Sequence, residues 1–504
     1  MPESKPISRR VFMTRATGFT ITLGAGGLVY PYLATAKRNP YAEGVWLSGD
    51  HHIHTHYSPD GQYTIGQQVE QAVQNGLGWC VITDHGGPRH DKVALAQAYP
   101  ELRAARKKFP QIVVFQGVEW NIPAAEHGSV ILPPTENEAM HIAEFEALFD
   151  ERNASRENTP ANTEADAVAG VRYLQSLMPK PIFIANHPAR RGLDSPHEMR
   201  AWSDAGPDVT RGFEGAPGHQ AATLIGSERG GYGGKPGAAS FPGYAPETYR
   251  TFGGYDWYVT QIGGLWDSLL GEGRSWYITA TSDSHRHYKD RTVVDSSTYL
   301  PQGHVTPTEK QSEKSENDDF YPGEYSKTWV FAPKRHPLAI LDAIRAGNMF
   351  PVLGDLIDRL ELFARDENRV ASMGGTLLLE KPGVDVTLTV RARVPRRPNG
   401  GGIVPRLHHI DLIAGDLIGP AADRDAMTNP TTRVVTQMRA AEAQRSGDFL
   451  VFQYDFLNVR RSFYVRVRGT NTDVDAPKMD TLSVNPWNDL WFYSNPVIVR
   501  VPGS

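Results

Sequence analysis

The chain has 504 residues, with 52 basic and 57 acidic side chains and a formal net charge of −5. A composition of 40% apolar and 22% charged residues supports a sizeable core and excludes a disordered chain, and the absence of a long basic run argues against nucleic-acid binding. A single cysteine, Cys80, excludes disulfide frameworks, cysteine zinc sites and iron–sulfur clusters, so any metal must be held by histidine and carboxylate.

In chain order, the N-terminus reads first as an address. Ser8, Arg9, Arg10, Val11 and Phe12 resemble a twin-arginine export signal. A weakly hydrophobic, uncharged stretch follows from Ala16 and ends in Ala34-Thr35-Ala36, a small-residue cleavage pattern. Its Gly24, Gly26, Gly27 and Pro31 favour a removable signal over a stable transmembrane anchor. Residues 1–36 are therefore expected to be a signal peptide. The protein is expected to be periplasmic or secreted, with the twin-arginine machinery as a partner.

From Val45 to about Gly354 short apolar runs alternate with amphipathic stretches. Strands are predicted over 78–83, 112–118, 181–185, 275–281 and 328–332, and helices over 65–77, 92–108, 138–149, 167–177 and 337–346. Such alternation implies an α/β unit over 37–354 with a mostly parallel sheet or barrel. Two segments interrupt it: a Gly/Pro-rich one (216–244) and a polar one (301–322), both read as long loops. The first is equally a lid or a tolerated insertion; the second reads as a surface insertion. After about residue 355 apolar residues alternate strictly with polar ones, as in Val384, Val386, Leu388 and Val390. Residues 355–504 are therefore expected to form an all-β, sandwich-like domain.

The chemistry concentrates in the first unit. Of 17 histidines, all but His408 and His409 precede residue 337. In Asp50-His51-His52-Ile53-His54 the period of a strand puts His52 and His54 on one face, where both can hold one ion. Asp60 follows. Four further apolar runs lead into polar groups: Asp84-His85, Glu119, Asn186-His187 and Asp283-Ser284-His285. Ligands repeated at strand C-termini are what a parallel barrel needs to gather a metal site on one face. Arg190 and Arg191, just past His187, equally suit bidentate recognition of a substrate phosphate or a solvated basic turn. Glu214 reads as a supporting group or a weak extra ligand, and Asp84 as one that orients a ligand. His219 is a candidate general acid that would more often be a surface residue. Cys80 lies inside an apolar strand and reads as a buried structural thiol. No G-x-S-x-G pattern supports a serine hydrolase.

Taken together, His52-x-His54-Thr55 with Asp60-Gly61, Thr83-Asp84-His85, Gly117-x-Glu119, Asn186-His187-Pro188 and Ser282-Asp283-Ser284-His285 resemble the PHP (polymerase and histidinol phosphatase) metal-dependent hydrolases over about residues 45–354. The resemblance implies a distorted (β/α)7 barrel with a trinuclear metal site. It implies one ion on His52, His54, Glu119 and Asp283, a second on Asp60, His85 and His285, and a third on His127, His187 and the bridging Glu119. His141 rivals His127, which is preferred because it precedes a strand-like run. Up to three divalent ions, Zn, Mn or Fe, are expected, with Asp60, Glu119, Asp283 and His285 as the catalytic groups. The segment 340–353 and the ending Pro486-Trp487 with Tyr493-Ser494-Asn495-Pro496 resemble the carbaryl-hydrolase-like branch. The expected activity is hydrolysis of a small-molecule ester, first a phosphoester. A carbamate, carboxylic ester or amide is the alternative on the same metals. A non-catalytic binding module is a third reading, which the full ligand set disfavours.

Overall fold

The computed structural model describes residues 39–504, apart from 88–89, 153–161, 226–235, 246–249, 312–317 and 482–483. The expected signal peptide, residues 1–36, lies outside these residues. Among the described residues no helix is long and apolar enough to cross a membrane.

The β–α alternation of the first unit produces strands Val45–Asp50, Trp79–Ile82 and Val113–Asn121, side by side and parallel. Helices Ile65–Gln74 and Tyr99–Lys108 lie between them in sequence. Thr64 starts the first helix: its hydroxyl accepts the Gln67 N–H, and the Gln67 side chain accepts the Thr64 N–H in return. The sheet then turns antiparallel. Val113–Asn121 pairs with His127–Ile131, which pairs with Ile182–Ala185. The few residues between Asn121 and His127 cannot make a parallel crossover, so the chain must double back. Parallel pairing resumes through Thr210–Ala216 to Tyr277–Ala280. The sheet is thus mixed, not mostly parallel.

On its other side Val45–Asp50 pairs antiparallel with Ser326–Ala332, which pairs with Met349–Leu353. Tyr277–Ala280 is joined to these strands by side chains. The Thr328 hydroxyl donates to the Ala280 carbonyl at 2.9 Å and accepts the Ala280 N–H at 2.9 Å. The Asn495 side chain accepts the Ile278 N–H at 2.8 Å and donates to the carbonyls of Ile278 at 3.1 Å and Met349 at 2.9 Å. Beyond Asp50 the chain also bridges from Ile53 to Ser284. Strand C-termini therefore converge on one face.

The first sheet does not stop near residue 355. Val352 pairs with Phe492, and the strands Phe463–Thr470, Trp491–Tyr493 and Val497–Arg500 continue a sheet of 15 strands. A separate antiparallel sheet holds Arg359–Arg365, Val384–Arg393 and Phe449–Val459. Val386, Leu388, Val390 and Ala392 are buried, as their alternation requires.

Two further expectations need correction, and one helix lies outside the predicted elements. The helix expected over 92–108 is broken into His90–Val93, a π turn Ala94–Ala98 and Tyr99–Lys108. Pro100 has no N–H for a regular ladder, and the wide turn precedes it. The helix Pro196–Ala205 was missed, although Ser195 and Glu198 form a reciprocal cap and Pro196 opens it. The stretch 301–322 is not simply a surface insertion: Thr306–Gln311 pairs with Thr292–Asp295, and Asp318, Asp319 and Phe320 are buried.

A buried ion pair ties helix Leu265–Gly271 to strand Phe463–Thr470. Arg466 donates to both oxygens of Asp267 at 2.9 and 2.8 Å, and both residues are fully buried. Removing one partner strands the other charge in the interior. Arg466→Met is expected to cost about 3–5 kcal/mol of stability, read by urea denaturation.

Candidate metal centre

The strand Val45–Asp50 leads into the first expected ligands, His52 and His54. Asp50 pins the turn that follows by accepting the N–H groups of His52 and Ser282, each at 3.1 Å. His51 points away from the cleft, to Ser129 Oγ at 3.2 Å and Thr279 Oγ1 at 2.8 Å. His52 and His54 point the other way, with their Nε2 atoms 3.0 Å apart. Around them stand Glu119, from the end of Val113–Asn121, and Asp283, three residues past Tyr277–Ala280. His52 Nε2 lies 3.0 Å from Glu119 Oε1 and 3.0 Å from Asp283 Oδ1; His54 Nε2 lies 3.3 Å from Glu119 Oε2 and 3.1 Å from Asp283 Oδ1.

The other expected ligands complete a ring. His85 spans Glu119 Oε2 at 2.8 Å and Asp60 Oδ2 at 3.3 Å, and His285 Nε2 faces the same Asp60 oxygen at 3.5 Å. His127 and His187 both reach Glu119 Oε1 at 3.1 Å. Asp60, His85, Glu119, His127, His187, Asp283 and His285 line a cleft of ≈ 190 Å³ together with Arg152, Arg190 and His219. His141 lies instead on the helix Glu138–Phe149 and does not line it.

Hydrogen bonds fix which ring nitrogens carry protons. His52 Nδ1 donates to Glu214 Oε1 at 2.7 Å. Ser58 donates its hydroxyl proton to Asp84 at 3.1 Å, so at 2.9 Å it must accept from His54 Nδ1. His285 Nδ1 donates to the Asp283 carbonyl at 2.8 Å. In their neutral forms all three rings therefore aim Nε2 lone pairs at carboxylate oxygens. That arrangement is repulsive unless a cation lies between them. One added proton on His52 Nε2 could serve only one of its neighbours. Metal–ligand bonds of about 2.0–2.2 Å place donor atoms roughly 3 Å apart, so a divalent ion satisfies them together. Glu119 Oε2, Asp283 Oδ1, Asp60 Oδ1 and His127 Nε2 are buried with no hydrogen-bond partner. The residues fit divalent metals.

Electrostatics agree. Burial acts to raise Glu119, yet His52, His127 and His85 hold its carboxyl well below the usual range. Asp283 is likewise held down against burial by His52, His219 and His285. Burial acts to lower His52, but Asp283 and Glu119 push it well up. At His127 and His187 burial prevails, lowering them to about 4 and about 3, so both rings stay neutral, the form that binds metal.

Supporting groups surround the ligands. Glu214, fully buried, accepts from His52, from the Thr281 hydroxyl at 2.8 Å and from the His187 N–H at 2.8 Å. Asn186 donates to Glu119 at 3.0 Å. Asp84 acts mainly through Ser58 and Thr55, and the Ser58 hydroxyl also accepts the His85 N–H at 2.9 Å. Arg190 lines the cleft and donates to Glu126 at 3.0 Å; Arg191, nearly half exposed, donates to the same carboxylate at 2.7 Å. Glu126 is held down to about 2: burial raises it, and Arg190, His127, His187 and Arg191 outweigh burial. Arg286 and His287 turn to Asp318 and Glu324, and His90 to Glu146. Cys80 is buried. Arg152, Glu126 and Asp319 were not anticipated. Only Glu126, a charge beside His127, had a visible signal.

Residues 50–168 match the PHP domain family. That stretch contains His52, His54, Asp60, His85, Glu119 and His127; His187, Asp283 and His285 lie beyond it. Comparison with the curated proteins gives no match. Among solved structures the chain is similar to a two-domain protein from Bacteroides vulgatus, described as containing a predicted PHP-like metal-dependent phosphoesterase. Identity is 14%, 88% of this chain and 96% of that one are covered, and the TM-score is 0.33. It is also similar to a lesion-specific endonuclease, PfuEndoQ, from Pyrococcus furiosus, with 14% identity, 60% and 56% coverage and a TM-score of 0.30.

Stripping divalent ions with a chelator is expected to lower the melting temperature, and Mn or Zn to restore it. At 100 times the dissociation constant, binding adds about 2.7 kcal/mol. Glu214→Gln is expected to weaken metal affinity about 10–100-fold, read by metal titration, because it removes the negative charge and one of the two oxygens that hold His52 and the His187 N–H.

Proposed function

We propose that the protein is an exported, metal-dependent phosphoesterase acting on a small-molecule ester. The observation that carries this reading is the set of histidine lone pairs and carboxylate oxygens that face one another across a cleft also lined by Arg152 and Arg190. His52, His54, Glu119 and Asp283 would hold one ion, Asp60, His85 and His285 a second, and His127 and His187 with Glu119 a third. Divalent zinc, manganese or iron held there would supply Lewis acidity and would acidify water near neutral pH.

The chain's own residues do the rest. Glu119 spans the cluster and holds its parts in register. Asp60, the more exposed carboxylate at 37%, stands at the open side, where a substrate enters. Arg190 presents its guanidinium to the cleft while Glu126 anchors it, so the non-bridging oxygens of a phosphoryl group meet a fixed cation. The cleft of ≈ 190 Å³ has room for a phosphoryl group at the reacting centre. We read the mixed sheet as the distorted (β/α)7 barrel of residues 37–354, with 355–504 as a β-rich domain. The twin-arginine motif supports export to the periplasm or beyond.

The test uses p-nitrophenyl phosphate, bis-p-nitrophenyl phosphate and p-nitrophenyl acetate, which share a leaving group, on protein loaded with Mn or Zn. Chelator-sensitive turnover of the phosphate esters with little acetate turnover is expected. His52→Ala and His54→Ala are each expected to lower kcat/KM by more than about 100-fold, beyond the usual loss for an outer partner. Acetate turnover alone overturns the phosphoesterase reading in favour of a carbamate or carboxylic ester.

A further inference from the structure

Asp319 lies in the stretch that reads as a surface insertion, yet it is fully buried beside the cleft. Its backbone is stitched to the chain after Asp283. The Asp319 N–H donates to the Arg286 carbonyl at 3.1 Å, and its carbonyl accepts the Tyr288 N–H at 2.9 Å. Its Oδ2 accepts the N–H of His285 at 2.7 Å and of Arg286 at 3.4 Å. Its Oδ1 accepts from His219 Nδ1. On the far side of the same ring, His219 Nε2 lies 2.8 Å from Asp283 Oδ2. Each ring nitrogen of His219 thus faces a carboxylate oxygen, Nδ1 that of Asp319 and Nε2 that of Asp283.

The consequence is geometric. With Oδ2 held by His219, Asp283 turns Oδ1 toward His52 and His54. With its N–H held by Asp319, His285 is set relative to Asp283. The backbone is committed to this contact. His219 and Asp283 both have left-handed φ, 60° and 48°. At Gly218 a Cβ would lie 2.1 Å from the Ser282 carbonyl and 2.2 Å from Asp283 Cβ, so only glycine lets this segment lie so close.

We propose that Asp319 and His219 are paired positioning residues, which fix the oxygen that Asp283 offers to a metal ion and the placement of His285. This rests on the reading of the cleft as a metal centre. The test has a readout that needs no substrate. Asp319→Asn and His219→Gln, singly and together, are titrated with Co2+, following affinity, bound equivalents and the visible spectrum. Folding is checked by circular dichroism and melting of the metal-stripped proteins; if Asp319→Asn does not fold, His219→Gln and His219→Asn carry the test.

Each single change is expected to weaken Co2+ binding about 10–100-fold and alter the spectrum. The double variant should be no worse than the poorer single, because the two act as one unit. On p-nitrophenyl phosphate the loss should fall in kcat more than in KM. Single variants with wild-type affinity and spectrum overturn the proposal, as do fully additive effects or a wild type that binds no Co2+. Loss of one metal equivalent in His219→Gln with Asp319→Asn unaffected also overturns it, making His219 a ligand. Coupled Co2+ effects in a protein that hydrolyses no phosphate ester would sink the phosphoesterase reading and leave this one standing.

Discussion

The structure depends on one electrostatic constraint: Glu119 is a fully buried carboxylate ringed by His52, His54, His85, His127 and His187. A charge at that depth is tolerable only if opposite charge is fixed close to it. Every nearby element supplies part of that charge or holds a part in place. The tautomers are not free to adapt, because Glu214, Ser58 and the Asp283 carbonyl already take the Nδ1 protons of His52, His54 and His285. The fold thus leaves a deficit of positive charge at one spot, and that deficit is what makes the cleft a cation site.

The strand that leads to Asp283 also has to be joined into the sheet. Parallel strands bring their C-termini to one face, but the seam beside Tyr277–Ala280 has to be closed without a full backbone ladder. Thr328 and Asn495 do this with side-chain hydrogen bonds. Asn495 belongs to the last segment of the chain, so the β-rich part takes part in holding the strand that leads to Asp283. A buried amide making three hydrogen bonds is costly to replace, since any apolar substitute leaves backbone groups unpaired.

Much of this was legible in the sequence. Strand periodicity placed His52 and His54 on one face and His51 on the other, and apolar runs ending in Asp, Glu or His marked the strand ends that line the cleft. The C-terminal alternation was equally readable. What stayed hidden was what depends on distant contacts. Asp319 has no motif around it, and its role exists only because residues 285–288 fold against it. Arg152 lines the cleft from a position with no ligand nearby in sequence. The antiparallel turn at His127 follows from a loop too short for a crossover, a matter of length more than composition. The break in the helix before Pro100 shows the reverse case, a visible residue whose local effect was underweighted.

Backbone strain links the two levels. Among the described residues six non-glycine positions have positive φ, and three of them are His187, His219 and Asp283. Such conformations cost of order 1–3 kcal/mol each and persist only where surrounding contacts over-determine them. Those contacts are identifiable here. Glu214 holds the His187 N–H, Asp50 holds the N–H before Asp283, and Gly218 makes room for His219. A relaxed backbone at these strand ends would turn the side chains away from the cleft. The strain is therefore the local cost of aiming ligands from several strand ends at one small volume, and the buried carboxylates Asp50, Glu214 and Asp319 hold it in place.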